Sequence, residues 1–209
     1  MPERIFLTKR VALASQVAEN LLKGGDWDFS RVEVWIPTAG AGRRIRNALA
    51  ESGVLSPRFT QPMRALLPIE CRIAQRFERE GAWALALRKL DHQFLKPLFS
   101  DANLDSEGSR LKSGGVLCDL CDLLAEAGWS PSHPSLCEVC SEDSARWDVL
   151  GRIYPCYLAA LEDFGLTDPN EARFAEMANS SRVGEVDRLV IACIPDLPLA
   201  AQRLSLIHI

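Results

Sequence analysis

"VWIPTAGAGRRIRNALAESG", residues Val34 to Gly53, runs from an apolar, β-branched stretch through a glycine-containing turn into a helical pattern. The order is that of a phosphate-binding loop, G-x-x-x-x-G-K-[ST]. In such a loop backbone amides and a helix N-terminus hold the phosphates, the lysine reaches the outer ones and the hydroxyl binds magnesium. With Gly42 set on the second glycine, Pro37 stands for the first, Arg43 for the lysine and Arg44 for the hydroxyl residue. Proline has no amide hydrogen to donate. A planar guanidinium does not replace a compact ammonium, and Arg44 cannot ligate magnesium. Nucleotide hydrolysis is therefore not expected. Two readings stay open. The preferred one is an architectural strand-to-helix turn that uses Gly40 and Gly42 for tight geometry. The other is a retained anion site, in which amides near Thr38 to Gly42, with Arg43, Arg44 and Arg46, hold a nucleic-acid phosphate.

Working outward, Val32 to Ile36 reads as a strand and Pro37 ends it. Arg4 to Thr8 reads as an earlier strand. Val11 to Lys23 reads as a helix with Val11, Ala14, Val17, Ala18 and Leu21 on one face. The helix from about Gly42 places Ile45, Ala48 and Leu49 together and stops at Gly53. Strand, helix, strand, helix predicts an α/β fold with a parallel sheet. From Pro68 to Phe164 the chain reads as helices and loops without a strand. Helices are expected over Ile69–Asp91, with Gly81 as a weak point, over Val116–Ala127 ending at Gly128, and over Ala145–Phe164. Loops are expected over Ser100–Gly115 and Trp129–Ser135. The last helix should bury Trp147, Leu150, Tyr154, Tyr157, Leu158, Leu161 and Phe164, and Pro155 should kink or split it. Asp187–Ile194 returns to strand. No internal repeat is present.

The 209 residues are 47% hydrophobic and 25% charged, enough for one core plus an insertion. A net charge of −4 argues against bulk attraction to polyanions. The charge is uneven, however. Gly40 to Arg79 holds eight arginines against three glutamates, and Asp101 to Leu150 holds ten acids against three bases. One basic face or ordinary solvated helix faces would both give this pattern, the second more commonly. No stretch is long and apolar enough for a membrane span, and the first residues lack the apolar core of a secretion signal. Seven cysteines, an odd number in a chain too large to need staples, fit a reducing cytoplasm.

Cys118, Cys121, Cys137 and Cys140 form C-x2-C-x15-C-x2-C, a spacing that fits a tetrahedral zinc site and, with it, a zinc-stabilised interaction module. The context weighs against zinc. The first pair lies in a helical core pattern with Leu117, Leu120 and Leu124, and acids at 119, 122, 138 and 142 crowd the thiols. No metal site and no catalytic residue is assigned. His92 and His133 stand alone, without the Cys, Ser or Asp arrangement of a catalyst. Trp147, Tyr154 and Tyr157 fit a core better than a base-stacking platform. Asp168 before Pro169 suits a helix start, with Glu171 and Arg173 as local ion-pair partners.

"WIPTAGAGRRIRNALAESG" followed by "PRFTQPMRALLP", then "RWDVLGRIYPCYLAALEDFGLTDPNEAR" (Arg146 to Arg173) and "RLVIACIPDLPLAAQRL", resembles the N-terminal region of AddB-type subunits of bacterial helicase–nucleases across most of residues 4–203. The resemblance implies a degenerate superfamily-one helicase-like domain over 1–203 with a helical insertion at about 68–180. It implies a scaffold that binds DNA beside an AddA-type motor subunit. It also implies a downstream PD-(D/E)XK nuclease that holds magnesium, together with iron–sulfur cysteines, both outside this chain. Asp196, followed by Leu197, supplies no acidic pair for magnesium, as expected of a sheet without motor chemistry. The closing "LSLIHI", Leu204 to Ile209, resembles translated sequencing adapter. The natural sequence is expected to stop matching near Arg203, as a piece of a longer gene.

Overall fold

The computed structural model describes residues 12–23, 28–68, 71–99, 104–133, 143–179, 188–199 and 201–202. The expected strand at Arg4–Thr8, the Cys137–Cys140 pair and residues 204–209 lie outside these. The chain divides into two compact units, one of residues 1–67 with 176–209 and one of residues 68–175.

The first unit is α/β. Helix α1 (Leu13–Lys23) precedes strand β1 (Val32–Trp35). Helix α2 (Ala39–Glu51), strand β2 (Arg58–Thr60) and the single turn α3 (Pro62–Ala65) follow. Strand β3 (Arg188–Ile191) enters from the far end of the sequence. The sheet is parallel with order β2-β1-β3, pairing Val34 with Phe59 on one side and with Val190 on the other. Period-two alternation sends Val32, Val34 and Ile36 to one face. There they meet Val17, Ala18 and Leu21 of α1 and Ile45 and Leu49 of α2, all nearly solvent-free. Gly53, at φ +72°, follows the end of α2 as expected.

Several boundaries differ from expectation. Helix α2 begins at Ala39 rather than near Gly42, because Thr38 caps it: the Thr38 hydroxyl accepts from the Ala41 amide at 3.2 Å. Strand β2 was not expected, since three residues are too few for a periodic signal. The closing strand runs only over Arg188–Ile191, and Cys193 turns the chain with a left-handed φ of 57°.

The second unit is helical. It holds α4 (Arg76–Arg88), the turn α5 (His92–Leu95), α6 (Glu107–Glu126), α7 (Ser144–Glu162) and most of α8 (Pro169–Asn179). Trp83 of α4 stacks on Tyr157 of α7 at 4.2 Å between ring centroids, with Tyr154 beside it, in a core completed by Leu117, Leu150, Ile153 and Leu161. One parallel bridge, Ile73 with Thr167, ties the entry of α4 to the exit of α7.

Four expectations need correction here. The segment read as a loop to Gly115 is helical from Glu107, because Ser106 caps it: its side chain accepts from the Ser109 amide at 3.1 Å. The helix read over Ile69–Asp91 spans only Arg76–Arg88; its start is fixed by Gln75, whose amide donates to Glu78. Helix α7 is not split at Pro155, which sits on its exposed side, away from the core. Phe164 is 61% exposed, because α7 ends at Glu162 and the chain turns through Gly165.

Candidate nucleic-acid interface

Between the end of β1 and the start of α2 lie only Ile36, Pro37 and Thr38. No loop remains to wrap a triphosphate. Of the first amides, that of Ala41 is taken by the Thr38 side chain, and that of Gly42 donates to the Thr38 carbonyl oxygen at 3.2 Å. The Thr38 hydroxyl oxygen thus accepts the capping hydrogen bond. Gly40 lies in the first turn of α2, and a Cβ there would make only an ordinary contact with Thr38.

Gly42 has a different role. It is buried, and a Cβ on it would lie 2.5 Å from Ile36 Cδ1 and 3.4 Å from Phe59 Cβ. The absent side chain lets α2 seat closely on β1 and β2. Gln61, at the exit of β2, donates from Nε2 to the Pro37 carbonyl oxygen at 3.2 Å and fixes the turn from the other side. The turn thus sits at the carboxyl ends of β1 and β2, the edge where open parallel sheets place their ligands.

Arg43, Arg44 and Arg46 are all exposed. Helical spacing sets Arg43 and Arg46 on the flank of α2 next to β2, where the Arg46 guanidinium lies over the Phe59 ring at 5.5 Å. Arg44 projects from the outer side. The basic stretch from Gly40 to Arg79 separates by unit. In the helical unit Arg72 pairs with Glu78, Arg76 with Glu80 and Asp119, and Arg79 with Asp122 and Asp168. In the sheet unit Arg43, Arg44, Arg46, Arg58 and Arg64 have no acidic partner among the described residues. Over their full sequences the sheet unit carries thirteen Lys and Arg against ten Asp and Glu. The helical unit carries eleven against eighteen, a formal charge of −7.

The helical unit contains a buried polar network that the sequence reading did not identify as one. Arg79, only 5% exposed at its side chain, makes two hydrogen bonds to the Asp122 carboxylate at 3.0 and 2.7 Å and lies 3.3 Å from Asp168. The Tyr157 hydroxyl donates to Asp168 at 2.5 Å. Asp168 also caps α8, accepting from the amides of Asn170 and Glu171. The expected cap is present, and the distant Arg79 joins it as an ion-pair partner; Arg173 donates to the Asn170 side chain at 2.6 Å. Burial opposes the charge on Arg79, yet the Asp122 hydrogen bonds and the Asp168 charge raise its pKa overall. Burial likewise opposes ionisation of Asp122, and hydrogen bonds from Arg79 and Asn170 outweigh it, so its carboxyl titrates below the usual range. The Glu171 carboxyl is pushed up by burial, against a hydrogen bond from the Tyr154 hydroxyl. A readable signal existed: Arg79 shares its helical stripe with Ala82, Trp83 and Ala86, so a charge had to enter the core.

Cys118 and Cys121 lie on α6 with Gly114, Leu117 and Ala125, buried against α4. Burial raises the Cys118 thiol to about 11 and the Cys121 thiol further. In the absence of a metal this pair packs as small side chains of the helix interface, and the other half of the C-x2-C-x15-C-x2-C spacing, Cys137 and Cys140, lies outside the described residues. Tyr154 and Tyr157 are core residues, and Trp147 is half-buried against the same core. His92 is exposed and lies 3.1 Å from Asp105, and the exposed His133 packs against Trp129. Among the described residues no helix is long and apolar enough to cross a membrane. No family model, curated protein or solved structure matches this chain.

Proposed function

We propose that the sheet unit is a non-hydrolysing, helicase-like scaffold that contacts DNA phosphates, as part of a cytoplasmic helicase–nuclease subunit of AddB type. On this reading an AddA-type motor subunit is its partner, and magnesium-dependent cleavage belongs to a nuclease domain downstream of this chain. One observation carries the DNA reading: the arginines of the basic stretch that have no acidic partner among the described residues all lie in the sheet unit, and three of them project from the helix that opens at the carboxyl edge of a parallel sheet. Phosphate contacts of this kind position a strand without reading its sequence. The absence of turnover follows from chemistry at the turn. Pro37 offers no amide hydrogen, and Arg43 and Arg44 stand where a lysine and a magnesium-binding hydroxyl would be needed.

The direct test is binding of a fluorescent single-stranded oligonucleotide to the wild type and to the triple variant Arg43→Ala, Arg44→Ala, Arg46→Ala. The variant is expected to bind at least about tenfold more weakly at low salt, with an unchanged circular dichroism spectrum. Equal affinity would leave the turn purely architectural. Neither protein is expected to hydrolyse ATP, and turnover abolished by Arg43→Ala would overturn the non-hydrolysing assignment.

A further inference from the structure

The helical unit carries a groove of about 430 Å³ between the outer side of α4, the first turns of α6 and the Phe164–Leu166 turn. Gly81 lies in it, in the middle of a thirteen-residue helix. Glycine there weakens a helix relative to alanine. Packing among the described residues gives no reason for it, since a Cβ at Gly81 would meet none of them within 4 Å. The missing side chain keeps the groove open. Leu85, Leu111 and Phe164 line it while 36%, 41% and 61% exposed, an apolar surface with no cover from the described residues.

The groove is also a positive island in an acidic unit. Arg88 has no ion-pair partner among the described residues, and Arg110 uses Nη1 on the carbonyl oxygens of Leu104 and Asp105, leaving the rest of its guanidinium available. Of the two acids present, Glu78 is held by Arg72 and the Gln75 amide. Glu107, in the first turn of α6, is the other.

We propose that this groove binds a small amphiphilic anion: an apolar chain or ring bearing one carboxylate or sulfonate. Its body lies along Gly81 between Leu85, Leu111 and Phe164, and its charge lies beside Arg88 and Arg110. The volume matches small-ligand sites, which pair apolar walls with a few polar groups. Charge selects the class. A nucleic acid or a strongly acidic protein helix would extend over a unit of formal charge −7 and be repelled. A ligand with one negative charge senses mainly the groove's own lining, three arginines against two glutamates, within a screening length of about 8 Å.

The proposal is independent of DNA binding and is tested on the full chain with anilinonaphthalene sulfonate as the probe and dodecanoate as competitor. One saturable site is expected, displaced by dodecanoate. Gly81→Leu fills the groove while favouring the helix, and is expected to weaken the probe at least about tenfold with helicity retained. Arg88→Glu is expected to weaken dodecanoate about tenfold and to leave the uncharged dodecanol unaffected. No saturable site, a Gly81→Leu variant that binds as well as wild type, or equal loss of dodecanoate and dodecanol in Arg88→Glu would each overturn the proposal.

Discussion

Gly42 and Arg79 show how single positions set this fold. A methyl on Gly42 must displace Ile36 Cδ1, the flexible end of a buried side chain, so Gly42→Ala is expected to cost about 1 kcal/mol in a urea melt. Adding Ile36→Val removes the opposing methyl, and the double variant should lose less than the sum of the two singles. Arg79→Ala removes the cation from between Asp122 and Asp168 and leaves a carboxylate with 1% side-chain exposure unpaired. The expected cost is about 3–5 kcal/mol, read from the same melts. The network also sets an acid limit. Asp122 has a lowered pKa, so its stabilisation is complete above the ordinary value of 3.8 and is lost as pH falls through the lowered value. Glu171, with a raised pKa, acts in the opposite sense: its contribution is present below 4.5 and is lost as pH rises through the raised value. Melting temperature followed from pH 6 to pH 2.5 should fall steeply below about pH 4, and Asp122→Asn should start lower and fall less. Equal slopes would remove Asp122 from the acid response.

At the scale of elements the close crossing of α4 and α6 decides the helical unit. A Cβ on Gly114 would lie 2.7 Å from the Glu80 carbonyl oxygen and 3.1 Å from Trp83 Cβ, against backbone that cannot move aside. Gly114→Ala should therefore push the helices apart and cost about 2–3 kcal/mol, more than Gly42→Ala, whose obstacle is a side-chain end. The same crossing explains the cysteines: Cys118 and Cys121 are small residues on the contact side of α6. Their spacing of three places both on one helix face. Long periodic elements were legible from residue order. The apolar spacing through Leu150, Tyr154, Tyr157 and Leu161 marked α7, and the β-branched run at Val32 marked β1. What was not legible lacked a periodic signal or depended on partners far away. Strand β2 is three residues held by pairing to β1. The first turns of α6 are too polar and glycine-rich to show a face, and they are started by the Ser106 cap. Asp168 reads as a local cap, and only the folded chain brings Arg79 to it.

For the whole molecule, the two units have separate cores and formal charges of opposite sign. The α/β character, the parallel sheet and the long helical stretch could be read from the order of elements. The separation of paired from unpaired arginines could not, because it required knowing which acids α4 meets. Arg79→Ala is expected to lower the melting of the helical unit, followed by near-ultraviolet dichroism of its Trp83 and tyrosines, while leaving DNA affinity measured well below that transition within about twofold. The most direct measurement of the central claim is the salt dependence of single-strand affinity for the wild type and the triple variant of Arg43, Arg44 and Arg46 to alanine. Each lost phosphate contact should reduce the slope of log affinity against log salt by about 0.7, so three contacts reduce it by about 2. Parallel lines of equal slope would contradict a phosphate-binding role for this turn.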